Sequence, residues 1–282
     1  MIRRKLEENF FRVLMVLATL LVTGSFFLIV GTILYRGAPY MTWDMVSKIP
    51  GGGFYIGKEG GVLNAIVGSL YIAGGATFLG LLISIPVAIY INLYLDGRNW
   101  IANGLRVAFD VLFGIPSIVY GAFGFLIMVY FGIRASLLGG IVAVTLLVIP
   151  ILVRTLDEVI RTVPRELSDA TRSLGATRWE TAKVVIRQIK PGVLTAILLS
   201  FGRAIGDVAS VLFTAGFSDN IPTSLHQPAA TLPLAIFFQL GSPVAEVQGR
   251  AYASALILTI IVLIITILSS ILAKKFSKNN SR

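Results

Sequence analysis

The sequence predicts an all-α, polytopic membrane protein of six transmembrane helices, with a cytoplasmic helical loop between the fourth and the fifth. Three observations predict it. Of 282 residues, 56% are hydrophobic and only 13% are charged, a balance that soluble domains rarely show. The apolar residues fall into six runs, each long enough to cross a hydrocarbon layer of about 30 Å at about 1.5 Å per residue. The Lys and Arg residues collect on alternate connections between those runs.

The first run, residues 13–35, has 23 residues without a charge. It is longer than the apolar part of a signal peptide, and no small-residue cleavage site follows, so it reads as a retained span. Runs at 62–95, 107–133, 135–153, 193–217 and 251–273 complete the set. The second is long for one crossing and must tilt or protrude. Its Gly68, Gly74, Gly75 and Gly80 suit close helix packing. In the third, Gly114-Ile-Pro-Ser117 precedes Gly121 and Gly124. Pro116 frees backbone carbonyls there, giving either a simple kink or a hinge, with Ser117, that lines a path.

Charge then orients the chain. Arg3, Arg4, Lys5 and Arg12 precede span one, and Arg98 and Arg106 join spans two and three. Eight more basic residues lie in 154–190, and Lys274, Lys275, Lys278 and Arg282 close the chain, making 18 of 24. Arg36, Lys48, Lys58, Arg134 and Arg250 fall on the other side, and Arg203 lies within a span. The positive-inside rule puts the N-terminal segment 1–12, the loop 154–190 and the C-terminal segment 274–282 in the cytoplasm of a cell-membrane protein. The formal charge of +10 is thus mostly topology, and needs no nucleic acid to explain it. With no cysteine, disulfides and thiol metal sites are excluded.

On the opposite side, residues 36–61 and 218–250 form the larger loops. Residues 232–240 are apolar but too short to span, and Pro228 and Pro243 flank them, which predicts an interfacial or re-entrant helix. His226, the only histidine, has no cluster of ligands around it and reads as an exposed loop residue. Gly52, Gly57 and Lys58 have the spacing of a phosphate-cradling loop. Glu59 stands where a Ser or Thr would reach magnesium, and no strand precedes it, so this is a flexible loop. No carboxylate pair, zinc spacing or nucleophile constellation appears, so the chain is expected to catalyse nothing alone.

The 37 residues from 154 to 190 are a polar island between two apolar runs. Pro164 suits the first turn of a short helix. Leu167, Ala170, Thr171 and Leu174 follow at helical spacing as one mostly apolar stripe, and Gly175 supplies a left-handed terminator. Thr177 with Glu180 forms a capping-box pattern that opens a second helix. Ala182, Val185, Ile186 and Ile189 form its apolar stripe, and Lys183, Arg187 and Lys190 line the opposite face. Residue types alone allow a connector lying on the membrane surface, a DNA-binding helix-turn-helix, or a docking unit for a soluble partner.

Span five carries Arg203 and Asp207 four residues apart, with Gly202 and Gly206 beside them permitting close contact. Each charge at bilayer centre costs about 2.5–3.5 kcal/mol on insertion scales, so such residues pair or face a watery cavity. Either a mutual salt bridge locks the span, or Arg203 offers a cation to a passing anion with Asp207 orienting it.

Asp169-Ala-Thr followed, after three residues, by Gly175 resembles the Glu-Ala-Ala, x3, Gly loop of binding-protein-dependent ABC importer permeases, where the loop docks into a cleft of a cytoplasmic ATPase. Gly60-Gly-Val-Leu-Asn-Ala-Ile-Val-Gly-Ser69, Gly114-Ile-Pro-Ser-Ile118, residues 203–214 and Gln227-Pro-Ala-Ala-Thr-Leu-Pro-Leu-Ala-Ile236 are similar to the A-type permease subunits of phosphate importers. The resemblance covers residues 10–275 or so. Asp169 stands for the usual Glu, Thr171 for the second Ala, Arg187-Gln188 for a frequent Leu-Pro, and Asp207 for a Glu.

The resemblance implies the type I (MetI-like) permease fold, with a core domain at 62–273 that includes the coupling loop. It implies an ATPase-docking set of Glu166, Asp169, Ala170, Thr171, Leu174 and Gly175, and a path set of Arg203, Asp207, Pro116 and Ser117. It further implies a second permease subunit, two copies of a P-loop ATPase that carry the ATP and magnesium, and an extracytoplasmic phosphate-binding protein. This chain itself would hold no cofactor. Two alternatives stay open: a permease for another oxyanion, and a gradient-driven anion carrier, which would be expected to show an internal repeat that this sequence lacks.

Overall fold

The apolar runs become helices, two of them continuous through an internal proline at Pro86 and Pro150, and one broken at Pro116. The structure, a computed structural model, describes residues 2–51, 59–95 and 99–280. Its helices are α1 (Ile2–Gly37), α2 (Trp43–Ser47), α3 (Leu63–Ile89), α4 (Trp100–Gly114), α5 (Ser117–Tyr130), α6 (Leu137–Arg161), α7 (Arg165–Ser173), α8 (Arg178–Gln188), α9 (Lys190–Ile205), α10 (Leu232–Leu240) and α11 (Ala245–Asn280). Among the described residues no strand forms beyond an isolated bridge between Pro50 and Gly60.

Among the described residues, four segments are long and apolar enough to cross a membrane: Glu7–Tyr40, Leu63–Tyr94, Leu137–Arg161 and Ala245–Ile271. The count rises to six if the bent pairs α4 with α5 and α8 with α9 each form one span. α3 and α6 make the most extensive pairing, α9 packs against both, and α11 packs on α9. Ile72, Ala76, Val144, Val148, Leu152, Leu156, Val185 and Ile205 lie in the resulting core. Of the span-two glycines, Gly75 and Gly80 face Ile141 and Leu152, where an added Cβ would come within 2.9 and 2.8 Å. At Gly74 that space is open. A second cluster, built on Met45, Val62, Ala65, Ala230, Leu232 and Ile257, closes the end of the bundle where α3 begins. There α10 takes the bounds predicted for a re-entrant helix, capped by the Thr231 hydroxyl, which accepts from the Leu234 N–H.

Three expectations need correction. The third apolar run is not one continuous helix: α4 and α5 meet at 95° across Ile115 and Pro116. Proline drives the residue before it into extended backbone, and Ile115 sits at φ −71°, ψ 131°, so the helix stops instead of kinking. The Tyr120 hydroxyl then donates to the Leu112 carbonyl at 2.8 Å and holds the corner. The fourth run does not end at Val153, because α6 continues helical to Arg161. Residues 154–161, expected in the loop, are its last two turns. The fifth run is helical only to Ile205, and Arg203 and Asp207 therefore do not share a continuous helix face. The glycine and lysine of the presumed flexible loop, Gly52, Gly57 and Lys58, lie outside the described residues.

Candidate functional site

The unit expected to dock a partner, α7 with α8, is built by local chemistry. Pro164 caps α7 instead of entering its first turn, its carbonyl accepting from the Leu167 N–H at 3.2 Å. At the other end Gly175 adopts φ +83°, the Gly175 N–H reaches the Arg172 carbonyl at 2.9 Å and the Ala176 N–H reaches the Thr171 carbonyl at 3.2 Å. That pair of bonds is a Schellman closure, which needs the left-handed residue that glycine supplies. Thr177 and Glu180 form the complete capping box, and hydrogen bonds from the Thr177 N–H and hydroxyl hold the Glu180 carboxyl below its ordinary range.

The predicted α7 stripe divides in two. Leu167 and Thr171 turn inward, and the Thr171 hydroxyl lies 3.5 Å from that of Thr181 on α8. Thr171 therefore belongs to the seam between α7 and α8, while Glu166, Asp169, Ala170, Leu174 and Gly175 are exposed. Leu174 is 88% exposed, an apolar side chain held at the tip with nothing of this chain over it. On α8, Ala182 and Val185 are buried, Ile186 is half-buried, and Lys183 and Arg187 face outward; just beyond it Ile189 is buried and Lys190, which opens α9, is exposed. The unit rests on the end of α3, where Arg172 and Arg178 donate to the carbonyls of Leu93 and Tyr94, each at 3.4 Å.

The residues expected to line a path lie at the breaks of two helices. α9 ends at Ile205, and Asp207 begins a turned segment by accepting from the Ser210 N–H at 2.8 Å and from the Ser210 hydroxyl. The Asp207 side chain is 2% exposed and sits 3.6 Å from the Arg203 guanidinium, which is 49% exposed. Among the described residues Gly202 and Gly206 meet no neighbouring helix. Pro116 and Ser117 start α5, which packs on the segment after Asp207. At Gly121 a Cβ would approach the Ala209 carbonyl to 2.6 Å, and Phe125 lies 6.2 Å from Phe213 between ring centres. His226 is an exposed loop residue.

The sequence reading passed over a buried polar cluster. Asp157, 2% exposed, accepts from Arg106 Nε at 3.0 Å and from Asn92 Nδ2 at 2.8 Å, and Arg106 Nη2 donates to Asn92 Oδ1 at 3.2 Å. Asp157 falls in the predicted loop because the apolar run ends four residues before it, at Val153. No local motif in the sequence marks it.

Comparison with known proteins places this geometry. The family model for the binding-protein-dependent transport system inner membrane component matches residues 80–281. The phosphate transport system permease protein PstA of Yersinia pestis is 36% identical over 217 residues, covering 77% of this chain and 73% of that protein. PstA of Pasteurella multocida is 33% identical over 280 residues, covering 98% and 97%. In fold, the chain resembles one from the MetNI methionine ABC transporter in an inward-facing conformation, with a TM-score of 0.59 over 76% of this chain and 94% of that one, at 19% identity. The chain is a multi-pass membrane protein and belongs to the family of binding-protein-dependent transport system inner membrane components.

Proposed function

We propose that this chain is the transmembrane permease subunit of an ATP-driven importer of inorganic phosphate. The observation that carries it is similarity along nearly the whole chain to proteins named as phosphate transport permeases. Two features of the geometry support it. An exposed helix tip bearing Glu166, Asp169, Ala170, Leu174 and Gly175 offers a docking face for a cytoplasmic ATPase, the partner that would carry ATP and magnesium. A half-exposed guanidinium at Arg203 would cost about 2.5–3.5 kcal/mol against lipid, so that surface suits a watery path or a second permease subunit.

In this reading both termini and 154–190 are cytoplasmic, residues 62–273 form the permease core, and a phosphate-binding protein delivers the anion at the other face. The ATPase closes on α7 and tilts the helices, switching the path between outward and inward openings. Arg203 attracts the anion, Asp207 fixes the turn beside it, and the α4–α5 corner at Pro116 and Ser117 gives that region a second backbone break.

In cells stripped of other phosphate importers, the chain with its partners is expected to restore uptake of labelled phosphate at limiting concentration. That uptake should survive an ionophore and stop when the ATPase is inhibited. The reverse pattern would indicate a gradient-driven carrier, and preference for another oxyanion would remove the phosphate assignment alone.

A further inference from the structure

Between the docking unit and the candidate path lies the buried cluster of Asn92, Arg106 and Asp157, each on a different element. Asn92 belongs to a wide turn of π type, Tyr90–Tyr94, that ends α3, where the Leu95 N–H reaches back to the Tyr90 carbonyl at 3.1 Å. Arg106 is in the middle of α4, and Asp157 is in the last turns of α6. Ile91, Ala102 and Val153, one from each of the same three elements, form a separate buried apolar cluster with Leu105 and Phe109 packed against it. Arg106 also holds the Asn103 side chain at 3.2 Å, and Arg161 lies 4.0 Å from Asp157.

Contacts run unbroken in both directions from this cluster. On one side, Arg172 and Arg178 of the docking unit grip the carbonyls of Leu93 and Tyr94 in the same wide turn. On the other, α4 ends at the corner that Tyr120 ties to Leu112, and α5 beyond it lies on the backbone of Ala209 and Ser210, whose amide and hydroxyl hold Asp207. Wide turns of this kind concentrate at functional positions, because the extra residue can be taken up or released as the helix reseats. Replacing a buried ion pair by apolar residues is often neutral or stabilising, so the cluster is poorly explained as a source of stability alone. What it does supply is direction. A fork of guanidinium bonds to one carboxylate fixes the relative placement of α4 and α6 where an apolar contact would let them slide.

We propose that Asn92, Arg106 and Asp157 are positioning residues, forming the joint through which movement of the docking unit reaches the α4–α5 corner and the turn at Asp207. This rests on the reading of the chain as an ATP-driven permease. The joint holds the wide turn of α3 to α4 and α6 together, so a pull on Leu93 and Tyr94 moves α4 with it. Without the charges the same elements still pack through Ile91, Ala102 and Val153, but α4 no longer follows.

The test uses the full complex in lipid vesicles, with its ATPase and binding protein, and reads phosphate moved per ATP hydrolysed. Asp157→Asn is compared with the double variant Arg106→Gln/Asp157→Asn, which keeps polar partners and leaves no charge buried alone. At wild-type membrane level and with the ATPase still bound, the double variant should hydrolyse ATP while moving about tenfold less phosphate per ATP, the scale of a coupling change of about 1.4 kcal/mol. An unchanged ratio overturns the joint, and so does loss of both variants from the membrane, which would show a purely structural cluster. A wild-type complex that moves no phosphate on ATP fails the functional reading itself, and the joint falls with it.

Discussion

At Gly175 the backbone requires a left-handed conformation, and no neighbouring atom lies within 4 Å of where a Cβ would sit. The penalty for Gly175→Ala is therefore conformational, about 1–2 kcal/mol, and local to the α7 terminus. We expect the variant to reach the membrane at normal levels while its ATPase binds more weakly in pull-down, and normal binding would remove the docking role of this turn. Arg203 is different, because its charge is on the surface and its neighbour Asp207 is held by Ser210 whether or not Arg203 is charged. Arg203→Gln should lower phosphate uptake by about 10- to 100-fold, the worth of a charge-assisted hydrogen bond of about 1.5–3 kcal/mol, with ATPase docking intact. Full uptake by that variant would reduce Arg203 to a partner for Asp207.

At the scale of elements, α8 owes its start to the capping box. Thr177→Ala should cost about 1 kcal/mol of local helix stability, read as faster hydrogen exchange at the amides of Glu180 and Thr181. Because the Glu180 carboxyl is held below its ordinary range when folded, its contribution is complete above the unfolded carboxylate range. It is lost progressively as pH falls from that range through the lowered folded value. Protection of the first turn of α8 that weakened between neutral pH and pH 6 would contradict this. These features were readable from the sequence since Gly175, Thr177 and Glu180 act on backbone groups a few residues away. The bend at Pro116 was readable as a break but not as a 95° corner, because the corner depends on Tyr120 reaching Leu112. The end of α9 at Ile205 was hidden, since an apolar run looks the same whether its backbone bonds to itself or to neighbours. Here the segment after Gly206 is satisfied by side chains and other loops, as where the Ser136 N–H bonds the Thr214 carbonyl at 2.9 Å. Asp157 was illegible for the same reason: its partners arrive from positions 92 and 106.

For the whole molecule, α3 pairs extensively with α6, the α7–α8 unit sits at one end of that pair, and the α4–α5 corner and the break after α9 lie beside it. Rigid helices transmit a displacement and broken ones convert it into a change of shape, which is the division of labour an alternating path needs. The α7 face was legible in the sequence as a motif, while the joint beneath it emerged only once the fold brought three polar residues together. The most direct measurement of the central claim is uptake of labelled phosphate at limiting concentration, comparing the intact chain with Gly175→Val at matched membrane levels, alongside ATP hydrolysis by the assembled complex. The account predicts that phosphate uptake collapses in the variant while the chain stays in the membrane. Unchanged phosphate uptake at matched levels would contradict it.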